Sequence, residues 1–322
     1  MIPDAAPAER EALALPLDPR ETVSIVIPCY KQAALLPEAI ESALAQSYPH
    51  VEVIVVDDGS PDDVAGVVAR YPTVRLVRQP NRGLSVARNA GLRAARGAYV
   101  VFLDADDRLF PAAVAAGMAC FAEHPDAALV WGRFRFIAED GTPRDERVRR
   151  PTDGDLYYAL LPRNHVEMLA TVLFRRDIVE RLGGFSTTLR AGEDYDLLLR
   201  MTRQFPAYEH TALVAEYRRY ERYGSSMSRD PARMLRNTMR VLAAQRPYVR
   251  GRARHEAALR SGVRFFQDYY GGELIDQLRA RARQGEWVRA AHDAAVLVRY
   301  YPRGIVERIA RRVQAALRVT WG

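Results

Sequence analysis

Short β-rich runs alternate with helical stretches from Val23 to Leu103, a pattern that commits the chain to an α/β domain built round a mostly parallel sheet flanked by helices. Residues 24–28 form the first strand. Residues 37–46 then place Ala39, Ile40, Ala43 and Leu44 on one helical face, with Pro37 suited to the first turn. A second buried strand, 51–56, runs into Asp57-Asp58-Gly59-Ser60. Ser60, followed by Pro61 and Asp63, reads as the N-cap of a helix ending near Arg70. Residues 74–77 give a third strand, 84–95 a helix, and 99–103 a fourth strand that delivers Asp104-Ala105-Asp106-Asp107. Pro111 opens the next helix.

From about Leu129 the alternation breaks down. An apolar segment through Trp131 and Phe136 precedes a strand over 170–174 and a helix over 192–203, and after Asp230 the chain reads as wholly helical. The expected organisation is a flexible lead-in over 1–22, an α/β domain over 23–229 and a basic helical region over 230–322.

Ligands of open α/β sheets bind outside the carboxyl ends of the strands, where loops and helix N-termini converge. Asp57-Asp58 and Asp104, Asp106, Asp107 lie at two such ends, and their mutual repulsion calls for a cation or for hydrogen-bond donors. A hard divalent cation, Mg²⁺ or Mn²⁺, held by one or two of these carboxylates and by substrate phosphate oxygens, meets that need. Solvated turn residues and helix caps are the plainer reading of any one such pair.

Charge narrows the partners. The 322 residues carry a formal +7, but Lys31 is the only lysine among 47 basic residues, so arginine number reflects coding composition more than phosphate contacts. Residues 246–322 hold sixteen arginines against seven acids, a balance of +9, which leaves −2 for the rest. Nucleic acid is therefore not an expected partner. Cys29 and Cys120 fit neither a disulfide framework nor a zinc site, and a reducing compartment suits them. The start of the chain shows no secretory signal, and no apolar run approaches the roughly 18 residues of a membrane span.

Five segments in order resemble glycosyltransferase family 2: Ser24-Ile-Val-Ile-Pro28-Cys-Tyr30, Val55-Val-Asp-Asp58-Gly-Ser60, Asn81-Arg-Gly83 with Ala87-Arg-Asn89-Ala-Gly91, Phe102-Leu-Asp104-Ala-Asp106-Asp107, and Gly192-Glu-Asp194-Tyr-Asp196. The resemblance runs from about Val23 to Ser228. It implies the GT-A fold, a nucleoside diphosphate sugar donor of UDP or dTDP type, Mn²⁺ or Mg²⁺, and inversion at the anomeric carbon. Carried over residue by residue, Pro28 and Tyr30 border the base, Asp58 accepts a hydrogen bond from it, Gly83 lets the backbone pass close to the donor, and Arg88 approaches the phosphates. Asp104 and Asp106 form the Asp-X-Asp element, with Asp106 the direct metal ligand. Asp194 matches the family's general base, Glu193 beside it orients or tunes that base, and Asp196 reads as structural. Neighbours on a helix face about 100° apart, so Glu193 and Asp194 do not share one role.

Other residues carry less. Tyr217-Arg-Arg-Tyr and Gly224-Ser-Ser-Met-Ser228 resemble the segment that closes over the diphosphate. Many relatives have His where Tyr223 stands, which leaves Arg218, Arg222 and Ser225 as substitutes. His165 reads as a satisfied loop histidine or faces the acceptor, Trp131 as core or as a sugar platform, and Cys29 as a buried filler. Ile305, Ile309, Val313 and Leu317 recur at helical spacing among Arg308, Arg311, Arg312 and Arg318, with Trp321 following. Such a helix either packs on the protein or holds it on a phospholipid surface, and the second reading places a cytoplasmic enzyme peripherally at the inner face of the plasma membrane, where a glycan or lipid-linked acceptor is met. The rival functions are a non-catalytic nucleotide-sugar sensor or scaffold, which the intact Asp-X-Asp and base argue against, and a nucleotidyltransferase or dinucleotide-binding oxidoreductase, which would need a glycine-rich loop where Cys29-Tyr-Lys-Gln32 stands.

Overall fold

A computed structural model describes residues 21–146, 154–220 and 230–307. The chain falls into two compact units, residues 1–157 with 165–224, and residues 158–164 with 225–322.

The first unit is built on strands β1 (Val23–Cys29), β2 (Val51–Asp57), β3 (Arg75–Arg78) and β4 (Tyr99–Phe102), which lie parallel in the order β3-β2-β1-β4. β1 is buried along its whole length, as a central parallel strand covered on both faces must be. β4 pairs with β1 only as far as Val26. Pro28, which has no N–H to donate, therefore sits past the end of that ladder. The expected strands over 24–28, 51–56, 74–77 and 99–103 correspond to these four within a residue or two.

Helices α1 (Leu36–Leu44), α2 (Val64–Val68), α3 (Leu84–Ala94) and α4 (Ala113–Glu123) connect and cover the strands. α1 buries Leu36, Ala39, Ile40 and Ala43, nearly the predicted face. α2 departs from expectation. Its N-cap is Asp63, whose side chain accepts the Gly66 amide at 2.8 Å, while the Ser60 hydroxyl accepts the Lys31 amide at 3.2 Å. Ser60 is thus spent on tying two loops together, and the helix starts three residues later.

Beyond β4 the sheet becomes mixed. β8 (Val172–Arg175) is antiparallel to β4 and to β6 (Leu129–Ile137), β6 runs parallel to the twelve-residue β9 (Ala207–Arg218), and the short β5 (Arg108–Leu109) closes the far edge against β9. β7 (Pro143–Glu146) pairs off this path with β6. Trp131 is 5% exposed within β6, so it belongs to the core rather than to a sugar platform. α5 (Leu156–Leu160), α6 (Arg176–Arg181) and α7 (Glu193–Thr202) complete the helices before β9.

The second unit is helical: α8 (Pro231–Val249), α9 (Ala253–Arg283) and α10 (Trp287–Tyr300). Asp230 caps α8 by accepting the Arg233 amide at 3.0 Å, with Pro231 in the first turn. Asp293, wholly buried in α10, takes both carboxylate oxygens to Arg281 at 2.7 Å. No described helix is long and apolar enough to cross a membrane. The lead-in to Arg20 and the amphipathic pattern from Arg308 to Trp321 lie outside the described residues.

Candidate active site

β1, β2 and β4 release their chains at one end of the parallel sheet, and three loops meet there. Asp58 is the hinge of the first two. It is 3% exposed, and its carboxylate accepts Gln79 Nε2 at 2.7 Å and the Arg82 amide at 2.9 Å on Oδ1, and the Gly83 amide at 2.9 Å on Oδ2. Asp58 thereby fixes the 81–83 turn, a role its reading as a base acceptor did not anticipate; one lone pair on Oδ2 is not taken up among the described residues. Gly83 caps α3 with φ 90° and ψ 163°, a region of backbone space that is essentially glycine's alone, and nothing lies within 4 Å of where a Cβ would stand. Conformation, not crowding, selects glycine here.

Next to them, Asp57 accepts the Ser60 amide at 2.8 Å and meets Arg78 at 3.3 Å, while the Asp58 amide donates to the Cys29 carbonyl at 3.0 Å. Tyr30 follows with its ring 41% exposed, and Pro28 lies buried before it. Cys29 is the filler expected: it is 1% exposed, and burial pushes its thiol up to about 12.

Arg88, within α3, holds the third loop through Asp104. Its guanidinium is 3% exposed, donates from Nη1 to Glu193 Oε1 at 2.8 Å and from Nη2 to Asp104 Oδ1 at 2.7 Å, and lies over the Phe185 ring at 5.4 Å. Burial by itself would lower its pKa, yet Asp104 and Glu193 hold it above the ordinary value. Each terminal nitrogen donates one N–H to a carboxylate, a positioning role that the expected approach of Arg88 to phosphates did not include.

Glu193 and Asp194 begin α7 behind Gly192, whose φ of 71° turns the chain into the helix. Glu193 is 4% exposed. Its pKa is raised, chiefly by burial and against the pull of Arg88, with Asp194's charge adding to the rise. Asp194 is half-buried, accepts the Tyr195 amide at 2.7 Å and is likewise raised, by burial first, with Arg88 opposing and Asp104 reinforcing. Asp196 turns away to Arg200 at 2.8 Å, and Arg200 in turn donates to the Leu182 and Gly184 carbonyls.

In the Asp-X-Asp loop, Asp104 keeps 41% of its side chain exposed beyond the Arg88 contact, and Asp106 accepts the Tyr220 hydroxyl at 3.1 Å. Burial raises the Asp106 pKa, and Asp104 raises it further. Asp107, 2% exposed, is raised well above the ordinary value, by burial first and then by the charges of Asp106 and Asp104. This is a locus of under-compensated negative charge with oxygen donors only, the chemistry of a hard divalent cation. Among the described residues no group of three or more His, Cys, Asp or Glu side chains is arranged to hold a metal, so those residues would supply at most the two carboxylates.

Arg218 was missed in this role. It is 3% exposed at the end of β9, its amide donates to Asp107 Oδ1 at 2.9 Å, its Nε to the Asp106 carbonyl at 2.8 Å, its Nη1 to the Glu139 carbonyl at 2.7 Å and its Nη2 to Glu38 Oε2 at 2.6 Å. It clamps the aspartate loop rather than substituting for a histidine in the diphosphate-closing segment. Arg222, Tyr223 and Ser225 lie outside the described residues. His165 is half-buried in the chain leading to the turn before β8.

A sheet whose strand ends gather an Asp-X-Asp pair, an acid pair on a helix N-terminus and an aspartate-pinned glycine turn defines a GT-A glycosyltransferase domain. The comparisons agree. Residues 24–183 match the model of the family described as glycosyl transferase family 2. The Bacillus subtilis protein named "Putative teichuronic acid biosynthesis glycosyltransferase TuaG" is 30% identical over 202 residues, 61% of this chain and 78% of that protein. The succinoglycan biosynthesis protein ExoO of Rhizobium meliloti is 34% identical over 194 residues, 56% of each chain. A 37% identical Sinorhizobium fredii protein of undescribed activity is spanned over only 20% of its length. Among solved structures, S. aureus TarS 1–349 in complex with UDP-GlcNAc superposes with a TM-score of 0.60 at 17% identity, over 75% of this chain and 71% of that one. Mannosyltransferase PcManGT from Pyrobaculum calidifontis, in complex with GDP-Man and Mn²⁺, does so with a TM-score of 0.55 at 22% identity, over 98% and 93%. The chain belongs to glycosyl transferase family 2.

Proposed function

We propose that the chain transfers a sugar from a nucleoside diphosphate sugar of UDP or dTDP type to a hydroxyl of a glycan or lipid-linked acceptor, with inversion, in the assembly of a cell-surface polysaccharide. The observation that carries this reading is Arg88, which joins the loop of Asp104 to the first turn of α7 and so gathers the aspartate pair and Asp194 around one buried cation. Succinoglycan and teichuronic acid in the names of two relatives support the polysaccharide setting.

In this scheme Asp194 takes the proton of the attacking hydroxyl. Its raised pKa makes it a stronger base than a solvated aspartate. Glu193 positions Arg88 and, through it, Asp104. Pro28 and the exposed Tyr30 ring border the base, Asp58 has a lone pair for it, and the Gly83 turn admits the phosphates. Asp106 and the free oxygen of Asp104 would hold Mn²⁺ or Mg²⁺, and that cation, when bound, neutralises charge on the departing diphosphate.

Asp194→Asn tests the assignment. Turnover should fall about 10²- to 10⁴-fold with donor affinity within a few-fold of wild type, read by transfer assay and calorimetry. Turnover at the wild-type rate would remove Asp194 from the base role. Absence of UDP, dTDP and their sugars from the calorimetric binding profile with Mn²⁺ present would sink the donor class. We further propose that the basic stretch from Arg308 to Trp321 holds the enzyme on anionic membrane; a chain ending at Glu307 that floats with phosphatidylglycerol vesicles as well as the full chain would rule this out.

A further inference from the structure

The helical unit carries a concave feature that the transfer chemistry above does not use. A groove of about 530 Å³ runs between the end of α8, the first half of α9 and the chain just past α10. That volume is in the usual range of specific ligand sites, roughly 300–1,000 Å³. Five arginines wall it: Arg246 and Arg250 at the end of α8, Arg260 and Arg264 one turn apart on α9, and Arg303. All five are exposed.

The charge is poorly offset. Glu256 is the one acid of the lining; it accepts the Gly251 amide at 2.9 Å and stands 3.7 Å from Arg260, so it balances a single arginine. Arg246, Arg250, Arg264 and Arg303 form no ion pair among the described residues. Arg260 and Arg264 are like charges at helical i, i+4 spacing, a pair costing a few tenths of a kcal/mol, about 0.2–0.5, and Arg246 and Arg250 add like charge from the end of α8. Nothing in the packing of the unit requires them there. An anion laid in the groove would turn this repulsion into attraction.

The shape selects among anions. The surface is concave, and Val249 and Leu259 give it a buried apolar floor, which suits the C–H faces of sugar rings. The guanidinium fork matches carboxylate or phosphate oxygens two at a time. The chain's own end is a poor occupant by charge, since residues 308–322 contain four arginines and no acid.

We propose that this groove binds an anionic glycan, a saccharide chain carrying carboxylate or phosphate groups at its repeat spacing. That such a glycan is the acceptor rests on the function proposed above; the binding does not. The test accordingly omits donor and divalent cation. The protein is titrated with labelled octamers of galacturonate and of phosphodiester-linked mannose, with neutral maltooctaose, and with phosphatidylglycerol vesicles. At least one anionic octamer should bind, maltooctaose at least tenfold more weakly, and the affinity should fall as salt rises. Arg246→Gln/Arg264→Gln should weaken that binding tenfold or more at an unchanged unfolding midpoint, because neither side chain has an ion-pair partner among the described residues, and Arg250→Gln/Arg303→Gln should do the same. Vesicle binding should be unaffected by either pair. The proposal is overturned if neither anionic octamer binds, if the neutral octamer binds equally, if both double variants bind as wild type, or if they lose vesicles and keep the glycan.

Discussion

Arg88 answers two acids, Asp104 just past β4 and Glu193 at the start of α7. Removing its charge strands Glu193 in an apolar setting, and breaking a buried pair of this kind costs about 3–5 kcal/mol. We expect Arg88→Gln to lower the free energy of unfolding by that order in urea titration, and Arg88→Lys to restore little, since a single ammonium lacks the fork that spans both carboxylates. Asp194 gives a prediction in pH. The base works ionised and its folded pKa lies above the ordinary 3.8, so turnover should rise with pH through a midpoint above that value. The same shift has a sign for stability. Between 3.8 and the raised value the native protein holds a proton that the unfolded chain has released, so this group destabilises the fold as pH rises through that window and costs its full amount above it. The stability gap between Asp194→Asn and wild type should therefore widen in favour of the variant on going from acid to neutral pH, as read by chemical denaturation. At Asp106, Asn substitution should modestly raise the melting temperature in chelator and abolish the upward shift expected of the wild type on adding Mn²⁺. The types and order of these residues were legible in the sequence. Their partners were not, because the pairing of Arg88 with Glu193 spans 105 positions and that of Arg218 with Glu38 spans 180, and no local pattern records either.

Among elements, α3 lies against β1 through a missing side chain. A Cβ at Gly91 would run into Val26 Cγ1, so Gly91→Ala must push the helix off the strand. Overpacking of this kind costs roughly 1–3 kcal/mol; Val26→Ala added to it should recover part of the loss, a coupling that a double-mutant cycle measures. Gly83→Ala should cost a similar roughly 1–3 kcal/mol from backbone strain alone, and no second-site truncation should relieve it. The parallel half of the sheet was readable because β1, β2 and β4 are uninterrupted buried runs. β9 was not: Ala207–Arg218 puts Glu209, His210 and Glu216 among its apolar residues, and its register against β6 shifts near Arg133, so no clean period survives. The N-cap at Asp63 was misplaced onto Ser60 for a related reason, since both residues offer an acceptor and only the fold shows that Lys31 claims the serine.

At the scale of the whole molecule, the division of charge seen in the sequence, +9 over 246–322 against −2 elsewhere, acquires two separate addresses. Part of it lines the groove beside α9, and part lies in the stretch after Glu307. The two should separate experimentally: the groove variants are expected to float with anionic vesicles like wild type and to lose the anionic octamer, and the chain ending at Glu307 to show the reverse. Equal loss of both ligands in either protein would mean a single, undivided basic surface. Arg88 carries a further consequence, for descent. A charge-free substitute for Arg88, Glu193 and Asp104 can be imagined, but losing Arg88 alone leaves Glu193 bare in the interior and losing either acid alone leaves Arg88 half-compensated, so the three positions are expected to drift only as a block. A copy of this gene in which one of them has changed alone would mark a lineage that no longer needs the reaction.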